Sequence, residues 1–183
     1  MERNDIPVRE FSFDFSGIGS RWLLLTAGTF ASRAFNSMTI SWGSAGEIWN
    51  KPFFQVLVRP TRYTRTFMEA GDSFTLSVLP AKYRKALSLL GSKSGRNGDK
   101  IAESGLHAMA SRAVASPCYE EAELVVECRK MYWQDLDPEH FLDPSIAANY
   151  PSKDYHRVYF GEIVAVSGTE AWRKSPSPLS GAD

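Results

Sequence analysis

Short runs of β-branched and aromatic residues, bounded by turn signals, recur along this chain and mark it as strand-rich. Phe53–Val58, Ser73–Val78 and Leu124–Cys128 are three such runs, and Val158–Val166 is a fourth. Trp22–Thr26 and Ser37–Ser41 read as further strands, with Asn50-Lys51-Pro52 as the turn before the Phe53 strand. Helical periodicity is sparse. One helix is predicted from about Arg62 to Ala70, capped by Thr61 or Thr64 and stopped by Gly71. A second, from about Ala81 to Leu90, follows Pro80 and ends at Gly91. It sets Tyr83, Ala86, Leu87 and Leu90 on one face. A short helix from Asp99 to Ser104 is closed by Gly105. Many short strands and few helices predict a mainly β fold, a barrel decorated by a few peripheral helices.

The 183 residues, 43% hydrophobic and 13% aromatic, suffice for one domain with a substantial core. We expect that domain over residues 1–172 and a flexible tail over 173–183, whose Ser-Pro-Ser-Pro stretch has the composition of a frayed end. Twenty-one basic residues balance twenty-one acidic ones, so no global field draws nucleic acid or an anionic membrane, and an anion site must be a local cluster. The N-terminus is polar without a signal-peptide apolar region, and runs such as Trp22–Leu25 are too short to span a bilayer. A soluble, cytoplasmic protein is the expectation. Cys118 and Cys128 have no CxxC spacing and no zinc-finger partners. Cys128 reads as a buried strand thiol and Cys118 as an inert loop thiol.

Three segments carry candidate chemistry. Arg59-Pro60-Thr61-Arg62-Tyr63-Thr64 follows a strand and opens a helix, so Arg59, Arg62, Tyr63 and Thr64 offer charged and hydroxyl donors suited to a phosphate. Ser94, Gly95, Arg96 and Lys100 add a second donor set on a glycine-punctuated loop that lacks the order of a nucleotide-triphosphate P-loop. Each, alone, also fits an ordinary solvated surface. Asn36, Met38, Thr39 and Trp42 place an amide, a thioether, a hydroxyl and an indole in one strand-like segment, where Met38 and Ile40 equally suit a core.

In this order and at this spacing, the three segments resemble the signature of the flavin reductase-like family, the FMN-binding split barrels that include the flavoredoxins. The resemblance runs from about Asn36 to Val166. It implies a split β-barrel holding FMN, with the Asn36-Ser37-Met38-Thr39 strand along the flavin and Trp42, Thr64 and Lys100 lining its pocket. His140 falls where the family places a loop close to the flavin, and equally suits a surface position. His156 could titrate near neutral pH and aid proton transfer, or simply start a strand. Trp172 could cover a flavin or meet a partner subunit. The resemblance further implies a homodimer with each FMN near the interface, and NAD(P)H as a transient hydride donor, since no dinucleotide fingerprint is present. The chemistry belongs to the flavin, so no residue is assigned as catalytic. The expected activity is an NAD(P)H-dependent flavin reductase that serves a monooxygenase or another electron acceptor. A flavoredoxin-like carrier holding FMN tightly is the alternative, and a non-enzymatic ligand- or protein-binding barrel the second.

Overall fold

The computed structural model describes residues 2–14 and 18–174. The strands are β1 (Asn4–Asp5), β2 (Leu23–Thr29), β3 (Ala34–Ile40), β4 (Gly43–Ile48), β5 (Lys51–Val58), β6 (Ser73–Val78), β7 (Ala108–Met109), β8 (Cys118–Tyr119), β9 (Leu124–Asp135) and β10 (Arg157–Gly168). The α-helices are α1 (Ile18–Arg21), α2 (Thr64–Ala70), α3 (Arg84–Ser92) and α4 (Lys100–Ser104). The fold is mainly β with few helices, as the sequence predicts.

One antiparallel sheet runs in the order β3-β2-β6-β9-β10-β5-β4, with β1 added to β10 and β7–β8 forming a separate ribbon. The end strands β3 and β4 are not paired with each other, so the sheet stays open. β10 is the organising strand: it pairs with β9, β5 and β1, and breaks register with β9 between Phe160 and Gly161 and again between Ile163 and Ala165. At Gly161 a Cβ would lie 2.6 Å from the Phe74 ring, so glycine is what lets β10 press onto the core there.

The interior of the curled sheet holds Leu25, Phe54, Val56, Met68, Phe74, Leu76, Val126 and Tyr159. Each large apolar side chain buried here contributes about 1.5–3 kcal/mol. A second cluster lies on the other side of β2, where Leu24 and Val125 meet Leu87 and Leu90 of α3 together with Cys118 and Tyr119 of β8. Cys118 is thus a buried strand residue rather than a loop thiol. Its burial raises the thiol pKa, as burial does more strongly for Cys128.

Several boundaries differ from expectation for identifiable reasons. The turn before β5 is Trp49-Asn50, both at positive φ (53° and 57°), and Lys51 already belongs to the strand. The second helix begins as a 3-10 turn at Ala81–Tyr83 and runs through Gly91 to Ser92. Gly91 is not a stop: a Cβ there would lie 3.2 Å from that of Thr39, so glycine allows α3 to approach β3 closely. α2 starts at Thr64, which lies inside the helix instead of capping it. Asp99 caps α4, accepting from the N–H groups of Ile101 and Ala102, and Gly105 closes it at φ 72°.

Arg173 and Lys174, the first two residues of the expected tail, are held to the body. Arg173 bridges Phe11 and pairs with Glu10, and the Lys174 N–H donates to the Glu10 carbonyl. The rest of that stretch, 175–183, lies outside the described residues. Trp172 is buried inside the domain, stacked on Phe13 at 5.7 Å and with the Arg21 guanidinium 4.9 Å from its ring, and it lines neither recess described below. Among the described residues, no helix is long and apolar enough to cross a membrane and no group of His, Cys, Asp and Glu gathers as a metal site.

Candidate functional site

β5 ends at Val58, and the chain turns through Arg59–Tyr63 into α2. Facing this turn is the loop between α3 and α4. Between them lies a recess of about 210 Å³, lined by Thr61, Arg62, Tyr63, Thr64, Ser92, Lys93, Ser94, Gly95 and Lys100. Two segments some thirty positions apart, each unremarkable alone, thus form one pocket. Asn36 braces it from β3: its Nδ2 donates to the Thr64 Oγ1 at 2.7 Å, in a buried contact that orients the hydroxyl. Gly95 lies so close that a Cβ there would stand 2.4 Å from the Asn36 Oδ1 and 3.0 Å from the Tyr63 ring. No larger residue fits unless the Asn36 amide or the loop moves.

The recess is short of negative charge. The Arg62 side chain has no hydrogen-bond or ion-pair partner among the described residues, and its pKa is lowered by burial and by Arg59. Lys100 is buried, and its ammonium donates to the carbonyls of Leu90 (2.9 Å) and Lys93 (3.1 Å), closing the end of α3. Burial and then Arg62 bring its pKa down to about 8. A buried lysine and a half-buried arginine, each with its pKa lowered by burial and a neighbouring guanidinium and ringed by hydroxyls and a glycine loop, suit a multiply charged oxyanion.

A second recess, also about 210 Å³, adjoins the first and shares Arg62. It is lined by Met38, Thr39, Ile40, Ser41, Trp42, Leu57, Arg59, Arg62 and His156. The chain leaves β3 here and crosses by Ser41-Trp42 to β4. Flat apolar walls from Met38, Leu57 and Trp42 stand beside guanidinium groups, a combination that accommodates a planar heterocycle whose polar edge needs donors. Thr39 sits lower in the wall, and its Oγ1 donates to the Leu87 carbonyl at 2.5 Å.

The sequence offers His156 as a group titrating near neutral pH or as a strand start; it lines this pocket, but burial removes it from titration near neutral pH. In register it falls one step past the Arg157–Val58 pair, beside Arg59, at the strand end that faces the recess. Strand alternation through Val158 and Phe160 was the available signal. Its ring lies 5.3 Å from that of Trp42, and its Nδ1 is 2.8 Å from the Tyr150 hydroxyl. Burial, then Arg59, lower its pKa to about 4, so it is neutral across the physiological range.

Other expected site residues lie elsewhere. Arg59 lines the second recess but is committed to protein: Nη1 is 2.9 Å from both carboxylate oxygens of Asp154, and Nη2 donates to the Asn149 carbonyl. Arg96 stands outside both linings, exposed over the Tyr63 ring at 4.7 Å. Ser37 points into the interior, where its hydroxyl joins those of Thr26 (2.8 Å) and Tyr119 (2.6 Å). His140 sits in the exposed 3-10 turn Pro138–His140 and lines neither recess. Ser37 is held by Tyr119 of the second apolar cluster, and no residue of the 136–155 loop lines either recess.

The chain matches a known family and known folds. The family model described as "Flavin reductase like domain" matches residues 15–179. Among solved structures, an FMN-binding domain of a flavin reductases-like enzyme from Shewanella baltica OS155 superposes with a TM-score of 0.66 at 15% identity, covering 91% of this chain and 77% of that one. Flavoredoxin of Desulfovibrio vulgaris (Miyazaki F) gives a TM-score of 0.64 at 20% identity, covering 93% and 78%. The NADH:FAD oxidoreductase of Streptomyces globisporus C-1027 gives 0.62 at 14%, covering 82% and 77%. Comparison with curated proteins gives no match.

Proposed function

Because this chain belongs to the flavin reductase-like family, we propose that it binds FMN in the paired recesses and passes hydride from a reduced nicotinamide to flavin. The observation that carries this reading is Arg62. A half-buried guanidinium without a protein anion, next to Arg59 and Lys100, leaves a place for a dianionic phosphate, and it borders the recess shaped for a ring.

The residues divide the work. Thr61, Arg62, Thr64, Ser94 and Lys100 hold the phosphate, and Asn36 keeps Thr64 turned towards it. Met38, Leu57 and Trp42 flank the ring, and Arg62 sits where the two parts join. The bound flavin supplies the two-electron chemistry itself. The protein's share is orientation and a field: guanidinium groups beside the ring stabilise negative charge that appears on reduction. No side chain is asked to act as nucleophile or acid.

A homodimer fits the same surface. Trp49 (57% exposed) and Tyr132 (45% exposed) meet at 6.0 Å, and Phe160 and Phe53 continue them across β10 and β5 towards Leu57 at the ring recess. A second copy of this chain, whose basic and acidic residues balance, would exclude water from the recess when seated on that strip. Two buried free thiols, Cys118 and Cys128, fit a reducing compartment such as the cytoplasm.

The test is to add FMN to the flavin-free protein, remove unbound flavin, and mix anaerobically with NADH or NADPH. One retained flavin per chain that bleaches within the mixing experiment supports the reductase reading. Retained flavin inert to both nicotinamides would make the chain a carrier fed by another protein. No retained flavin and no turnover of free flavin would refute both.

A further inference from the structure

Tyr150 and His156 form a contact that the flavin reading leaves unused. Tyr150 is buried at the end of the 136–155 loop, its ring stacked on Phe141 at 5.9 Å and crossing that of His156 at 5.5 Å. Its hydroxyl lies 2.8 Å from Nδ1 of His156 in a buried hydrogen bond, whereas His156 lines the ring recess and Tyr150 does not. Nδ1 is therefore engaged on the side away from the recess, and Nε2 is the nitrogen left for it.

We propose that Tyr150 is a positioning residue that fixes His156 in the Nε2–H tautomer, so that a neutral imidazole presents a hydrogen-bond donor to an acceptor atom on the bound flavin ring. This rests on the flavin-binding reading above. A neutral imidazole has one N–H and one lone pair, and the bond made by one nitrogen decides which remains at the other. Burial raises the pKa of the Tyr150 phenol, so it keeps its proton, and in the proposed tautomer that proton goes to the Nδ1 lone pair across the 2.8 Å contact. The charged groups around the imidazole are Arg59, Arg62 and Asp154. Arg59 is held by Asp154 and also lies over the Tyr150 ring at 5.1 Å. With cations nearby and water largely excluded, the ring stays neutral, the form in which a tautomer has meaning. The arrangement adds a donor to the recess without adding charge.

Long-range ¹H–¹⁵N spectra of the imidazole in the flavin-free protein near neutral pH test the tautomer directly. The expected result is an unprotonated Nδ1 and a protonated Nε2, converted to a tautomer mixture by Tyr150→Phe, which keeps the ring and its packing. A proton on Nδ1, a charged ring, or an unchanged tautomer in Tyr150→Phe would overturn the proposal. Because this is read without flavin, it is decided independently of whether FMN binds. The second arm is an FMN titration. Tyr150→Phe should weaken binding roughly three- to tenfold, His156→Gln, which keeps an N–H donor, should restore most of it, and in that background Tyr150→Phe should have no further effect. Equal and additive losses from both changes would show a merely structural role and overturn the donor assignment.

Discussion

Arg59 is clamped to Asp154, its Nη1 2.9 Å from both carboxylate oxygens, while Arg62 in the same turn has no anionic partner among the described residues. Two arginines that look equivalent in sequence therefore have different tasks. Arg62→Ala should weaken FMN binding by about 1.5–3 kcal/mol, the range of one charge-assisted hydrogen bond, with little change in thermal midpoint. Arg59→Ala should instead free the segment that carries Asn149 and Asp154, which hydrogen exchange would report as faster exchange around 149–155. Flavin fluorescence titrations of both variants check the contrast, and equal losses of affinity would contradict it.

Lys100 gives the site a pH signature. Its pKa of about 8 in the flavin-free protein lies below the ordinary lysine value of 10.5 because of burial and Arg62. A phosphate dianion would hold the proton on, so binding favours the charged form, and affinity must fall as pH rises through about 8. At the acid side the phosphate itself gains a proton near pH 6. FMN affinity should therefore peak between these values. In Lys100→Met the alkaline limb should disappear while the acid limb stays; an alkaline limb that persists would assign it to another group.

The strand pattern made most of the sheet legible in advance, because alternation and turn residues report local geometry that tertiary packing rarely overrides. The helix ends were less so. Gly91 reads as a stop, and only the approach of Thr39 from β3 shows why it lies inside α3. The first recess is built from two segments that the sequence marks as donor-rich, but the sequence does not say which donors face it: Arg96 and Arg62 look alike until Tyr63 is seen beneath one and a recess beside the other. The placement of His156 was hidden for a similar reason, since it depends on the register of β10 against β5.

Gly95 offers a direct test of the brace. A methyl group there would stand 2.4 Å from the Asn36 Oδ1, and relieving that contact must move either the amide or the loop. Turning the amide breaks its bond to Thr64; moving the loop opens the phosphate recess. Gly95→Ala should cost about 1–3 kcal/mol of stability, typical of overpacking, and weaken FMN more than tenfold. Chemical denaturation and flavin titration on one sample measure both. Wild-type affinity would mean the loop accommodates a side chain freely.

His156 should also shape stability against pH. Its pKa is near 6.5 in the unfolded chain and about 4 in the fold, where burial and Arg59 oppose its charge. Between those values the unfolded chain binds a proton that the folded one does not, so stability is lost as pH falls from about 6.5 to 4 and is unaffected by this group above that window. Urea midpoints across pH 4–7.5 should show that slope, and His156→Gln should flatten it by one group's share. An unchanged slope would mean that the imidazole is charged or solvated in the native state.

The aromatic strip carries the last prediction. Trp49 and Tyr132 touch edge to face at 6.0 Å on the outer side of β9, β10 and β5, beside the Lys51–Glu162 pair. Both rings are largely exposed in the single chain, and burying such surface is the main source of affinity at a subunit interface. Light scattering should give twice the chain mass for the parent protein. Replacing both residues with glutamate places like charges on the contact and should yield monomers whose strands stay intact by circular dichroism. If the partner also shields the ring recess, the monomer should lose flavin faster than the dimer even though every phosphate-binding side chain is unchanged. A parent protein that is already monomeric at micromolar concentration would remove the interface, and monomers that retain flavin as well as the parent would separate assembly from binding.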